Sequence, residues 1–249
     1  SAVGGTFIRD VEPGEIVVVE EGEMRSIKLG AEGNGHLCIF EHIYFARPDS
    51  VIDGQSVHMA RKRAGMLLAQ EYPVEADVVI GVPDSGIDAA LGYSEYSGIA
   101  YKIGFAKNRY IGRTFIKPDQ HAREDAVKMK LSVIKEEIEN KRVVMIDDSI
   151  VRGTTSRQIV NLLREAGAKE VHIRVSAPPF VSACYFGTDI PSSDELIACN
   201  YSVDEICRLA GADSPGFLSF DSLKKMAPDS KCGFCDACFT GKYCVDTEV

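Results

Sequence analysis

No run of apolar residues approaches the roughly 20 needed to cross a bilayer, and the first residues lack the charged-then-apolar pattern of a secretory leader. These absences predict a soluble, cytoplasmic protein with no membrane partner. An excess of positive charge is missing too: 28 Lys and Arg stand against 37 Asp and Glu, a formal charge of -9. That balance excludes a surface built as a whole to hold nucleic acid, while leaving room for a local basic site. Internal repeats and low-complexity tracts are absent. An initiator Met is absent as well, so the natural start is expected upstream of Ser1.

What is present suits a folded core. With 249 residues, 45% hydrophobic and 26% charged, the chain can form one large domain or a domain with an appendage. Eight cysteines without a leader read as metal or cluster ligands, or buried thiols, rather than a disulfide framework.

Three textures succeed one another. Residues 1–35 hold one strand-like run, EIVVVEE at Glu15 to Glu21, too short to enclose a core. Over residues 36–231 apolar β-branched runs alternate with amphipathic stretches, which predicts an α/β domain with a mostly parallel sheet flanked by helices. Helices are expected near 56–71, 87–96, 123–139 and 156–166, and strands near 77–82, 99–103, 142–146 and 171–176. Residues 232–249 form a Cys-rich tail.

The chemistry concentrates in VVMIDDSIVRGTT, Val143 to Thr155. A buried strand ends in two carboxylates and passes through a short loop into a helix, and ligands of open α/β sheets sit beyond the carboxyl ends of the strands. Ser149, Gly153, Thr154 and Thr155 offer hydroxyls and close backbone approach to a phosphate at the helix N-terminus. Asp147 and Asp148 would repel that phosphate unless they held something else. A ribose diol is the natural candidate, because a carboxylate accepts hydrogen bonds from sugar hydroxyls and favours a cationic sugar.

This motif resembles that of the type I phosphoribosyltransferases. The longer match is to the glutamine phosphoribosylpyrophosphate amidotransferases within them. CIFEHIYFARPDS (Cys38 to Ser50), VIGVPDSG (Val79 to Gly86), NRYIGRTFI (Asn108 to Ile116), LLREAGAKEVH (Leu162 to His172) and CFTGKY (Cys238 to Tyr243) carry it, in the family's order.

The resemblance implies the type I fold and a reaction in which ammonia displaces pyrophosphate from 5-phosphoribosyl-1-pyrophosphate. It places the substrate's 5-phosphate on Ser149, Ile150, Val151, Arg152, Gly153, Thr154 and Thr155. Asp84, Ser85 and Gly86 fall in the pyrophosphate loop. Magnesium is expected beside Ser85, Asp147 and Asp148, consistent with its preference for oxygen ligands and substrate phosphates. The polar stretch from Lys107 to about Asp125 has the look of a closing lid, with Lys107, Tyr110, Arg113 and Lys130 on or beside it and Tyr110 and Ile116 enclosing an ammonia path. Purine nucleotides as feedback inhibitors and a homotetramer are further implications.

Spacing alone groups Cys232, Cys235, Cys238 and Cys244, and leaves zinc and iron-sulfur open. The resemblance implies a different set, Cys38, Cys184, Cys235 and Cys238, around a 4Fe-4S cluster with a structural role. It also implies that residues 1–35 are a remnant of an N-terminal glutaminase domain, so only the ammonia-dependent half-reaction carries over. Two other readings compete. A non-catalytic purine regulator would bind the same substrate without turnover, and a salvage transferase would use a purine base; the basic lid and the cysteine set favour the amidotransferase.

Overall fold

In the computed structural model, which describes residues 4–29, 35–108, 131–188 and 192–245, β1 (Glu15–Glu20) and β2 (Glu23–Lys28) form an antiparallel hairpin. β3 (His36–Cys38), a π-helical turn at Glu41–Phe45, and the short pair β4 (Val51–Ile52) and β5 (Gln55–Ser56) come after it. Next are α1 (Val57–Glu71), β6 (Val78–Gly81), α2 (Gly86–Ser97), β7 (Phe105–Lys107), β8 (Leu131–Val133) and α3 (Lys135–Ile138). β9 (Arg142–Asp147), α4 (Thr154–Glu165) and β10 (Glu170–Val175) complete the central unit. The C-terminal part holds α5 (Ile197–Asn200), α6 (Val203–Ala210), α7 (Phe220–Leu223), β11 (Gly233–Cys235) and α8 (Ala237–Thr240).

The central sheet is parallel, in the order β10-β9-β6, with Val78 opposite Val143 and Val143 opposite Val171. Because successive strand residues face opposite ways, the sheet divides the core in two. Val79, Val144 and Ile146 pack with α1, α2, Phe40, Phe180 and Phe239. Val78, Ile80, Val143 and Met145 pack on the other face with Ile159, Val160 and Leu163 of α4 and Ile206 of α6. Ser56 caps α1, its hydroxyl accepting from Met59 N. α1 and α2 approach closely through Gly65, which faces the Ala89 carbonyl, and Gly92, which faces that of Lys62. The approach fixes the start of α2 against the sheet.

Two expected elements differ. Of the helix expected over 123–139, the part from 123 to 130 lies outside the described residues; in the rest, residues 131–133 instead form β8, antiparallel to β7, and Lys135–Ile138 is helical. Leu131 is drawn into the core beside Phe105, so packing overrides a helical pattern. The strand expected over 99–103 supplies a single parallel bridge, Tyr101 to Val79, with Val79 N donating to Ala100 O and Lys102 N to Val79 O, both at 2.9 Å. Beyond it Gly104 O accepts from Ile134 N, which diverts the chain toward β7 and β8.

Candidate active site

Adjacent parallel strands end side by side, and the loops beyond their carboxyl ends share one space. Gly81 is paired with Ile146, and Val82 N donates to Ile146 O at 2.8 Å, so the loop Pro83 to Gly86 runs beside Asp147 and Asp148. Gly86 opens α2 against the strand backbone: a Cβ there would lie 2.4 Å from Ile146 O. Only glycine permits that approach.

Asp147 and Asp148 are both buried. Asp148 accepts two hydroxyls, from Ser85 at 2.8 Å on one oxygen and from Ser149 at 2.8 Å on the other, while Asp147 Oδ1 accepts the amide of Asp148 at 2.9 Å. Burial first, and then the charge of Asp148, hold the Asp147 carboxyl well above the ordinary carboxylate range. An acid pair in that condition fits a bound cation or a row of hydroxyl donors.

The loop into α4 is held open by its anchors. Ile150 is buried, Val151 O accepts Ile197 N at 2.9 Å, and Arg152 is ion-paired with Glu195. Gly153 stands at the helix N-cap with φ 77°, a conformation that favours glycine. No side chain caps α4, and Thr154 and Thr155 are exposed, leaving first-turn amides and two hydroxyls for an anion. Lys107, on β7, is ion-paired with Asp84. Tyr110, Arg113, Ile116 and Lys130 lie outside the described residues.

Sequence reasoning missed the supports. Glu195 and Ile197 hold the loop into α4 from far along the chain, with no local signal. Arg61 is buried and donates to His42 O and Ala46 O, each at 2.8 Å, tying α1 to the segment after Cys38. Burial lowers its basicity, against the opposing pull of Asp88, Asp148 and Glu41. Its signal was available: a charged residue on the apolar stripe of Val57, Ala60, Ala64 and Leu68.

Four cysteines from distant segments converge. Cys235 on β11 is paired with Cys38 on the parallel β3, and Cys238 sits just beyond on α8. Burial pushes the Cys238 thiol far up, and Cys38, Cys184 and Cys235 add to that effect through their charge. Cys184 shows the opposite balance: burial raises it, yet the amides of Gly187, Thr188 and Phe186 bring it below the ordinary thiol range. Amides of Phe40 and Glu41 point at Cys38, and that of Ala237 at Cys235. Converging thiols with amide donors are a donor set that fits an iron-sulfur cluster. Among the described residues no three His, Cys, Asp or Glu side chains surround a single metal ion. Cys199, Cys207 and Cys232 have partners of their own: Val181 O, Ala212 O and the Asp53 carboxylate. Cys244 adjoins Cys235.

Residues 55–186, more than half of the chain, match the family described as phosphoribosyl transferase domain. An amidophosphoribosyltransferase of Bacillus subtilis (strain 168) is 55% identical, over 97% of this chain and 52% of the relative. That of Archaeoglobus fulgidus is 52% identical, over 97% and 53%. A solved glutamine phosphoribosylpyrophosphate amidotransferase from B. subtilis, complexed with ADP and GMP, aligns with a TM-score of 0.87 at 54% identity, covering 98% of this chain and 55% of that one. The chain spans about half the length of the relatives it matches.

Proposed function

The chain belongs to the phosphoribosyl transferase domain family and has its type I α/β fold, and on that premise we propose that it makes 5-phosphoribosylamine from 5-phosphoribosyl-1-pyrophosphate and ammonia. This is the first step of de novo purine nucleotide biosynthesis. The observation that carries the proposal is the Ser85 to Asp148 hydrogen bond, which joins a pyrophosphate loop and a ribose-phosphate loop at the ends of neighbouring strands.

The α4 N-terminus, with Ser149, Gly153, Thr154 and Thr155, receives the 5-phosphate. Asp147 and Asp148 accept the ribose hydroxyls and favour the positive charge that grows on the sugar as pyrophosphate departs. Ammonia bonds to the anomeric carbon, the bond from that carbon to the pyrophosphate oxygen breaks with its electron pair, and one proton is lost from nitrogen. Lys107 and Asp84 flank the leaving group. Ser85, Asp147 and Asp148 would hold magnesium beside the substrate's own phosphates, where it would neutralise charge on the pyrophosphate. No covalent intermediate is needed; positioning carries the rate. Tyr110, Arg113 and Lys130 belong on or beside the proposed lid.

The same proposal divides the chain into residues 1–35, of glutaminase-domain type, the transferase domain at 36–231 and the Cys-rich tail at 232–249. A hairpin that pairs only with itself among the described strands supports the first boundary. Cys38, Cys184, Cys235 and Cys238 hold a 4Fe-4S cluster that staples β3, the loop after β10 and the tail. Glutamine as the ammonia source is supported by the name of the solved relative, purine nucleotide inhibitors by its ADP and GMP, and a homotetramer by family likeness alone.

The test is pyrophosphate release from phosphoribosyl pyrophosphate, magnesium and ammonium chloride at alkaline pH. Turnover is the expected result. Binding of substrate by the folded chain without any release would replace the enzyme with a regulator that only senses it.

A further inference from the structure

One hydroxyl brackets Cys184. Tyr243 donates its phenolic hydrogen to Ala183 O at 2.6 Å, and the same phenolic oxygen accepts the amide of Tyr185 at 3.1 Å. These are the two neighbours of Cys184, 58 to 60 residues away in the chain. The ring is held as well, with its centroid 5.1 Å from that of Tyr185 and 5.3 Å from that of Phe186. Further back, Cys238 O accepts the amides of Val181 at 2.9 Å and Ser182 at 3.2 Å. The segment carrying Cys184 is thus gripped at both ends by the stretch Cys238 to Tyr243, although it lies in no helix or strand.

We propose that Tyr243 is the positioning residue of the cysteine site: its hydroxyl fixes the peptides on either side of Cys184 so that this thiol faces Cys38, Cys235 and Cys238. The inference rests on the cluster reading above. A phenol suits the task because it donates and accepts at one atom, where phenylalanine does neither. A loop thiol without such a clasp loses its orientation entropy on binding metal, and the clasp removes that cost beforehand.

The experiment compares the wild-type chain with Tyr243→Phe, which keeps the ring contacts and removes only the oxygen. Two rates are read: alkylation of Cys184 by iodoacetamide in the metal-free chain, resolved by peptide mass spectrometry, and iron release to a chelator from the chain reconstituted with iron and sulfide. Loss of two hydrogen bonds predicts roughly ten-fold faster alkylation of Cys184 in the variant, and faster iron release. Buried Cys207, on α6, is the internal reference and is unchanged. Equal alkylation rates in the two chains overturn the clasp, as does a Cys207 rate that rises in step with Cys184. Faster alkylation with unchanged iron release overturns its role toward the cluster. If neither chain takes up iron, the cluster reading falls, and with it the metal role of Tyr243, while the alkylation rates still decide the clasp.

Discussion

Ser85 and Asp148 stand 63 residues apart in the sequence, and their hydroxyl and carboxylate oxygens are 2.8 Å apart. The bond joins the loops that follow two neighbouring strands, β6 and β9, and fixes the orientation of the acid. Removing its charge and removing its support are different perturbations. Asp148→Asn is expected to lower kcat about 100-fold, since it deletes charge opposite the developing cation. Ser85→Ala keeps that charge and is expected to raise KM for phosphoribosyl pyrophosphate roughly ten-fold. Steady-state pyrophosphate release separates the two, and equal kcat losses would refute the division of roles.

Gly153→Ala tests the loop into α4. The residue sits at φ 77°, and a Cβ there would come 2.4 Å from Ile197 Cδ1. The expected cost is about 1–2 kcal/mol of stability, read as a lower urea midpoint. Ile197→Ala in the same background relieves the clash and returns part of it. No recovery would mean that backbone strain alone sets the cost.

Asp53 provides a pH test away from the candidate active site. Its carboxylate accepts the Ser230 hydroxyl at 2.7 Å and the Cys232 amide at 3.1 Å, pinning the tail to the turn between β4 and β5. The Ser230 hydroxyl is the first cause, with the Cys232 and Lys231 amides also lowering it, that brings this carboxyl down to about 2. A folded value below the unfolded one, about 3.9, means that the stabilisation is complete above about pH 4 and is lost as pH falls through about 2. Thermal midpoints of wild type and Asp53→Asn should therefore differ most above about pH 4 and converge toward about pH 2. A gap that stays constant with pH contradicts the carboxylate's role.

The cysteine set makes a discriminating prediction. Single serine substitutions of Cys38, Cys184, Cys235 and Cys238 each abolish stoichiometric iron after reconstitution, whereas those of Cys199, Cys207 and Cys232 leave it unchanged. Full iron in Cys38→Ser would return the choice to the four tail cysteines.

Arg61→Met keeps bulk and removes two charge-assisted hydrogen bonds, a buried one to the Glu41–Phe45 turn and a partly buried one to Ala46. A loss of about 3 kcal/mol in urea unfolding is expected. A loss under about 1 kcal/mol would show that the turn holds itself.

What the sequence by itself determined is local. Val143 to Ile146 is apolar and β-branched enough to read as a buried strand, and Asp147 to Thr155 carries its turn and helix signals within one short stretch. Both arise from preferences that neighbours in the chain can express. Tertiary structure decided whatever depends on which segments meet. Leu131 to Val133 became a strand because β7 offered backbone partners and the core accepted Leu131. Ser85 reached Asp148 only because β6 and β9 are adjacent. Cys38 met Cys235 through the parallel pairing of β3 with β11, where spacing along the tail pointed to Cys232 and Cys244. Hydrogen-bond partners and contacts between segments far apart in sequence leave no period or motif in the chain, since the free energy that selects them arises on packing.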